Sequence, residues 1–160
     1  MVMHEALVCA VAETFEGMLF MEVLPADVPE PGRDALWARV PVLEPVAGGV
    51  TLLCPPGLAR ALADALTMGC PGGDLAPEIA CRVALGAERL HLDALAELVN
   101  TLAGRLLGRI VPERQAFRLG LPETGTGHSS GGVFETFGFL VGDSAFHVRV
   151  SGLCGEGGDV

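Results

Sequence analysis

At 160 residues the chain suits one domain, or one compact duplication, and leaves no room for separate cofactor and substrate domains. With 50% hydrophobic and 19% charged residues it can bury a real core, which excludes a disordered protein. There are 20 acidic side chains against 10 basic ones, all arginine, so the formal net charge is -10; such a surface repels phosphate backbones and excludes nucleic acid as the expected partner.

The five cysteines, Cys9, Cys54, Cys70, Cys81 and Cys154, are odd in number and scattered, with no C-x-x-C pair to chelate zinc. Buried free thiols in a reducing compartment are the expectation. The opening Met-Val-Met-His-Glu carries no basic region, and no apolar run approaches the roughly 18 residues of a membrane span, so a cytoplasmic protein with no membrane partner is expected.

In chain order, Leu7, Val11, Met18 and Leu19, with Val8 and Phe15 beside them, recur at helical spacing and predict a helix from His4 to Met21 that Pro25 ends. Ala26 to Asp34, rich in proline and charge, reads as a loop. Leu36 to Leu43 and Val50 to Cys54 read as strands separated by Glu44-Pro45 and Gly48-Gly49, and Pro41 marks the first as an edge strand or one broken there. Pro55-Pro56 opens a helix from Gly57 to Met68, stopped by the glycine cluster from Gly69 to Gly73. A short helix from Pro77 to about Leu85 leads into the longest helical pattern, His91 to Leu107, which Gly108 is expected to close. Phe117, Leu119 and Leu121 then alternate in strand fashion before Pro122, followed by a flexible glycine-rich loop from Gly125 to Gly132. Val133 to Val141 and Ala145 to Val150 flank Gly142-Asp143-Ser144 as a hairpin, and the tail from Gly155 is expected to fray. A weak repeat links Ala12-Glu13-Thr14-Phe15-Glu16-Gly17-Met18 to Ala96-Glu97-Leu98-Val99-Asn100-Thr101-Leu102 and suggests two related halves.

On a wheel of the 91 to 107 helix, Leu92, Leu95, Val99, Leu102 and Leu106 fall within about 40° of the side opposite Glu97 and form the core stripe. Asp93, Glu97, Asn100 and Gly104 lie within about 60° of one another on the far side, joined by steps of three and four residues. A carboxylate and a carboxamide one turn apart, followed by a residue with no side chain, make a platform that another macromolecule's backbone can approach. Gly104 costs about 1 kcal/mol relative to alanine inside a helix, which calls for a packing or functional reason. The wheel alone leaves open an ordinary solvated face.

E-x-x-N at Glu97 and Asn100, Gly104 four residues later, and then Phe117-Arg118-Leu119-Gly120-Leu121-Pro122 with Gly125 or Gly127 just beyond resemble the CheX branch of the CheC-like chemotaxis phosphatases. The E-x-F-E-x-M-L stretch between Ala10 and Val23 resembles that family's opening helix. The resemblance implies an α+β fold, a largely antiparallel sheet covered by two long helices, in a single domain spanning residues 1–160 and acting as a homodimer. It implies hydrolysis of the aspartyl phosphate on a CheY-type response regulator. Asn100 would orient the attacking water, Glu97 would pair with the regulator's lysine, and Asp93, Thr101 and Gly104 would contact the regulator. The chain itself would bind no cofactor or metal; the magnesium ion would sit on the regulator. Helix one departs from the motif, with Glu16 where a second site would need asparagine and Phe20 where the other copy has Gly104, which implies one site per chain. Thr101 stands where many relatives carry methionine. The rival reading is a non-catalytic module of the same fold that binds a regulator or dimerises, with the 36 to 43 strand as the candidate edge.

Other patterns carry less. Gly127-His128-Ser129-Ser130-Gly131 fits G-x-S-x-G, with Asp143 and His147 in hydrolase order, but a strand rather than a helix follows the serine. The same loop lacks the third glycine of a dinucleotide fingerprint. His4, His91, His128 and His147 share no ligand spacing, and Trp37 reads as a packing residue more readily than a partner anchor.

Overall fold

The computed structural model describes residues 3–67, 87–127 and 133–153. The predicted short helix from Pro77 to about Leu85, the glycine stop at 69 to 73 and the tail from Gly155 lie outside the described residues, as do His128 to Gly132. The element order is α1 (Met3–Leu19), β1 (Val23–Pro25), β2 (Leu36–Glu44), β3 (Gly48–Cys54), α2 (Pro56–Thr67), α3 (Ala87–Ile110), β4 (Arg118–Leu119), β5 (Glu123–Thr126), β6 (Glu135–Val141) and β7 (Ser144–Ser151). Seven strands form one antiparallel sheet in the order β1-β6-β7-β3-β2-β4, with β5 also pairing β2. This is the expected α+β architecture.

The strand alternation of β2 sends Leu36, Ala38, Val40 and Val42 to one face, where they are buried with Val50, Leu52 and Cys54 of β3 and Phe146, Val148 and Val150 of β7. The helices close over that face: Leu7, Val11 and Phe15 of α1, Leu62 of α2, and Leu95, Leu98, Val99, Leu102 and Leu106 of α3 belong to the same core. Phe15 stacks on Phe146 at 4.8 Å between ring centroids, and Phe139 stacks on Phe146 at 5.3 Å. The opposite face is covered over β6 and β7 by the proline-rich loop after β1. There Ala26 N–H donates to Gly138 C=O at 2.9 Å, His147 Nε2 lies 3.1 Å from Val28 C=O, and Arg149 faces Glu30 at 3.8 Å.

The sheet order bears on the repeat. Exchanging β1, β2 and β3 with the β4/β5 pair, β6 and β7 turns the order into its own reverse, with β3 and β7 meeting at the centre. From Ala10 to Leu19 and from Ala94 to Ala103 the two long helices bury and expose corresponding positions almost identically. Glu13 thus matches Glu97, Glu16 matches Asn100, and Phe20 matches Gly104. Each half lends its short first strand to the other: β1 pairs β6, and β4 and β5 pair β2. Helix α2 has no counterpart among the described residues of the second half.

Several expectations need correction. The strand at 36 to 43 is not an edge, because β3 pairs with one side of it and β4 and β5 with the other. Pro41 is accommodated because its carbonyl accepts from Gly120 N–H at 2.7 Å, so its missing donor points to the same side, into the gap between β4 and β5. Gly108 does not close the long helix, which runs three or four residues further than expected at each end and breaks before Pro112. Gly125 and Thr126 belong to β5 rather than a loop, and β1 was not foreseen. Only Arg118 and Leu119 of the 117 to 121 stretch are strand. Helix α1 stops at Leu19 because Phe20 takes a left-handed conformation (φ 56°), its N–H bonding Glu16 C=O and that of Met21 bonding Phe15 C=O.

Candidate functional site

Helix α3 lies on β2 and β3 with α1 and α2 packed against it, which is why its buried face is wider than one stripe. Leu98 and Leu107 are buried beside Leu95, Val99, Leu102 and Leu106, whereas Leu92 is only partly buried. What remains outside is a narrow ridge. Asp93, Glu97 and Asn100 are exposed, Thr101 and Gly104 partly so, and Gly108 is exposed one turn beyond. The structure therefore brings all five sequence-predicted site residues to one surface.

The ridge has two textures. Its N-terminal half carries acid and amide groups; its C-terminal half is bare backbone. A Cβ built on Gly104 or Gly108 meets nothing within 4 Å, so no neighbour within the chain requires either glycine. Gly108 was missed as a ridge residue because a glycine near the end of a helical pattern reads as a terminator; its place at i+4 from Gly104 was the available signal.

The matching face of α1 is built differently. Glu13, the counterpart of Glu97, holds Arg105 and Arg109 of α3, one on each carboxylate oxygen, with Arg105 Nη1 at 3.7 Å. Thr14 bonds the Ala10 carbonyl at 2.7 Å within the buried side of the helix. Glu97, by contrast, makes no ion pair among the described residues.

The remaining candidates are spread out. His147 is 3% exposed beneath the loop after β1, while Asp143 sits exposed in the β6–β7 turn; the serine of G-x-S-x-G lies outside the described residues. His4 packs on Phe137 at 5.7 Å and His91 is partly buried on α3. Among the described residues no three His, Cys, Asp or Glu side chains are grouped as metal ligands. Trp37 is partly buried against its own sheet: its indole lies over Gly125, where a Cβ would come within 2.5 Å of the ring. A shallow groove of about 610 Å³ between the end of α1, β1, α2 and the β6–β7 turn, lined by Met21, Leu24, Leu58 and Leu140, contains none of the ridge residues. Among the described residues no helix is long and apolar enough to cross a membrane.

Neither a protein-family model nor a curated protein sequence matches the chain. Solved structures do. The CheX protein in the CheX–CheY–BeF3–Mg complex of Borrelia burgdorferi is 18% identical, with a TM-score of 0.67 over 92% of this chain and 96% of that one. Chemotaxis protein CheX of Vibrio vulnificus is 15% identical, also at a TM-score of 0.67, over 93% and 95%. CheX of Desulfovibrio desulfuricans is 17% identical at 0.66, over 92% and 97%. The fold is the CheC-like one, and the chain shares the architecture of these CheX structures along nearly its whole length.

Proposed function

We propose that the chain is a phosphatase for the aspartyl phosphate of a CheY-type response regulator, with the ridge of α3 as its docking and catalytic surface. The observation that carries this reading is the exposed pair Glu97 and Asn100, one turn apart on a rigid buried-backed helix, with bare backbone at Gly104 beyond it. A neighbour of the same fold binds CheY, which supports the choice of partner.

Phosphoryl transfer asks for positioning more than for a strong base, because its transition state is loose and its charge spreads over three oxygens. Asn100 supplies both polarities: its side-chain carbonyl accepts a hydrogen bond from a water and holds it in line with phosphorus, while its amide N–H donates to the phosphoryl oxygens. Glu97 pairs with a lysine of the regulator and fixes the register of docking. Asp93 and Thr101 contact the partner at the ridge flanks, and Gly104 lets its backbone come close. The magnesium ion that offsets phosphoryl charge is held by the regulator, so α3 needs no metal ligand. Assembly into homodimers belongs to the same proposal, and a sheet-mediated dimer would use β1 or the β4/β5 edge, because β2 is internal.

The test is loss of phosphate from a phosphorylated CheY-type receiver in magnesium, with wild-type protein and Asn100→Ala side by side. Acceleration by the wild type and a drop of roughly 10²-fold in the variant are expected, the scale seen when a positioned polar group is lost from a charged transition state. Binding without acceleration would identify a non-catalytic regulator-binding module instead.

A further inference from the structure

The partner of the ridge poses an electrostatic problem. An aspartyl phosphate and the carboxylates that hold its metal ion make an anionic face, and this chain carries a net charge of -10. Two such surfaces repel unless cations stand where they meet. On α3, Arg105 and Arg109 lie about 80° and 120° round from Glu97 on the side of α1, while Asn100 lies about 60° the other way. A body seated on the centre line of the ridge therefore meets Asn100 on one flank and Arg105 on the other, about 7.5 Å further along the axis.

Arg105 is placed to be released. Its side chain is 38% exposed, its guanidinium rests over Gly17 of α1, and its 3.7 Å separation from Glu13 exceeds a hydrogen bond. Arg109, 28% exposed, bonds the other Glu13 oxygen directly, so Glu13 keeps a counter-charge when Arg105 leaves. A half-exposed pair of this kind is weak and exchangeable.

We propose that Arg105 is a docking residue that exchanges Glu13 for an acidic group of the regulator beside its phosphorylation site, and that Glu13 sets the affinity by competing for it. The inference rests on the proposed function for the identity of the partner. It turns the α1 counterpart of Glu97 from a vestige into a control: the glutamate on α3 binds the partner's cation, and the one on α1 holds back the cation that binds the partner's anion.

The experiment uses the full chain as wild type, Arg105→Gln, Glu13→Gln and Arg105→Lys, with a CheY-type receiver phosphorylated by acetyl phosphate in magnesium. Affinity and KM are read at two salt concentrations. Arg105→Gln raises KM and Kd about 3- to 10-fold and flattens their salt dependence; Arg105→Lys restores most of the affinity. Glu13→Gln lowers both constants about 2- to 5-fold and steepens the salt dependence. If the pairs merely brace α1 against α3, the two glutamine variants shift in the same direction, and that result overturns the proposal, as does the absence of a shift in either. Asn100→Ala run alongside separates the two readings: opposed shifts in binding with no wild-type acceleration would leave Arg105 as a docking residue and remove the catalysis.

Discussion

On the outer face of the sheet, Gly49, Gly120 and Gly125 each lie under a side chain of β2, respectively the Arg39 guanidinium, the Pro41 ring and the Trp37 indole. A Cβ at these positions would stand 2.6, 2.8 and 2.5 Å from the covering atoms, and at Gly138 the obstacle is the Ala26 carbonyl, also at 2.5 Å. On the α3 ridge, Gly104 and Gly108 face open space. The first group is explained by the chain's own packing: a strand side chain takes the place of the missing one. The second group weakens its helix with no internal return, which directs attention to what approaches from outside. The residue type is the same in both regions, and only the neighbours tell its two uses apart.

Substitution should separate the regions. Gly138→Ala is expected to cost about 2 to 3 kcal/mol in a denaturant titration, because the clash is with backbone that cannot rotate away. Gly125→Ala should cost less, about 1 to 2 kcal/mol, since the Trp37 ring can tilt, and its fluorescence should shift with the change; a neutral result at both positions would remove the packing account. Gly104→Ala and Gly108→Ala should instead stabilise by up to about 1 kcal/mol each. If the ridge is a docking surface, Gly104→Ala still slows dephosphorylation of the regulator by about 3-fold or more, equivalent to a fraction of a lost contact; a gain in stability with undiminished activity would show that close approach is not needed there. A separate expectation, confined to alkaline pH, concerns Cys54 of β3. Burial pushes its thiol up to about 12 from an ordinary 9.0, so the fold holds a proton that the unfolded chain sheds. The associated stability is complete below pH 9 and declines between pH 9 and 12. At pH 8 an alkylating reagent should label the exposed Cys9 and spare Cys54.

The contrast also shows what the sequence could disclose. Helix α1, strands β2 and β3 and the β6–β7 hairpin were legible because their periodicity is carried by runs of seven or more residues. Strands β1, β4 and β5 hold two to four residues each and owe their existence to partners far along the chain, so no local pattern announces them. Pro41 was a sound signal of a missing ladder bond, yet the bond is missing on the side of an interrupted neighbour rather than at an edge. The ridge residues Asp93, Glu97, Asn100 and Gly104 were legible because a helix wheel needs only spacing, whereas Thr101 entered only through the family resemblance. Arg105 and Arg109 were not, since their partner Glu13 lies on another helix.

The exchange of first strands between the halves has a kinetic meaning. Neither half can complete its own sheet, because the outer neighbour of β6 is β1 from the first half and the outer neighbours of β2 are β4 and β5 from the second. Folding must therefore wait for encounters between distant segments, which slows the search relative to a fold of local hairpins. The same arrangement is what two identical subunits form by trading an arm; here both arms belong to one chain. Within this frame the α3 face stays open at Glu97 and Asn100, whereas on α1 the matching Glu13 is tied to Arg105 and Arg109 of the neighbouring helix.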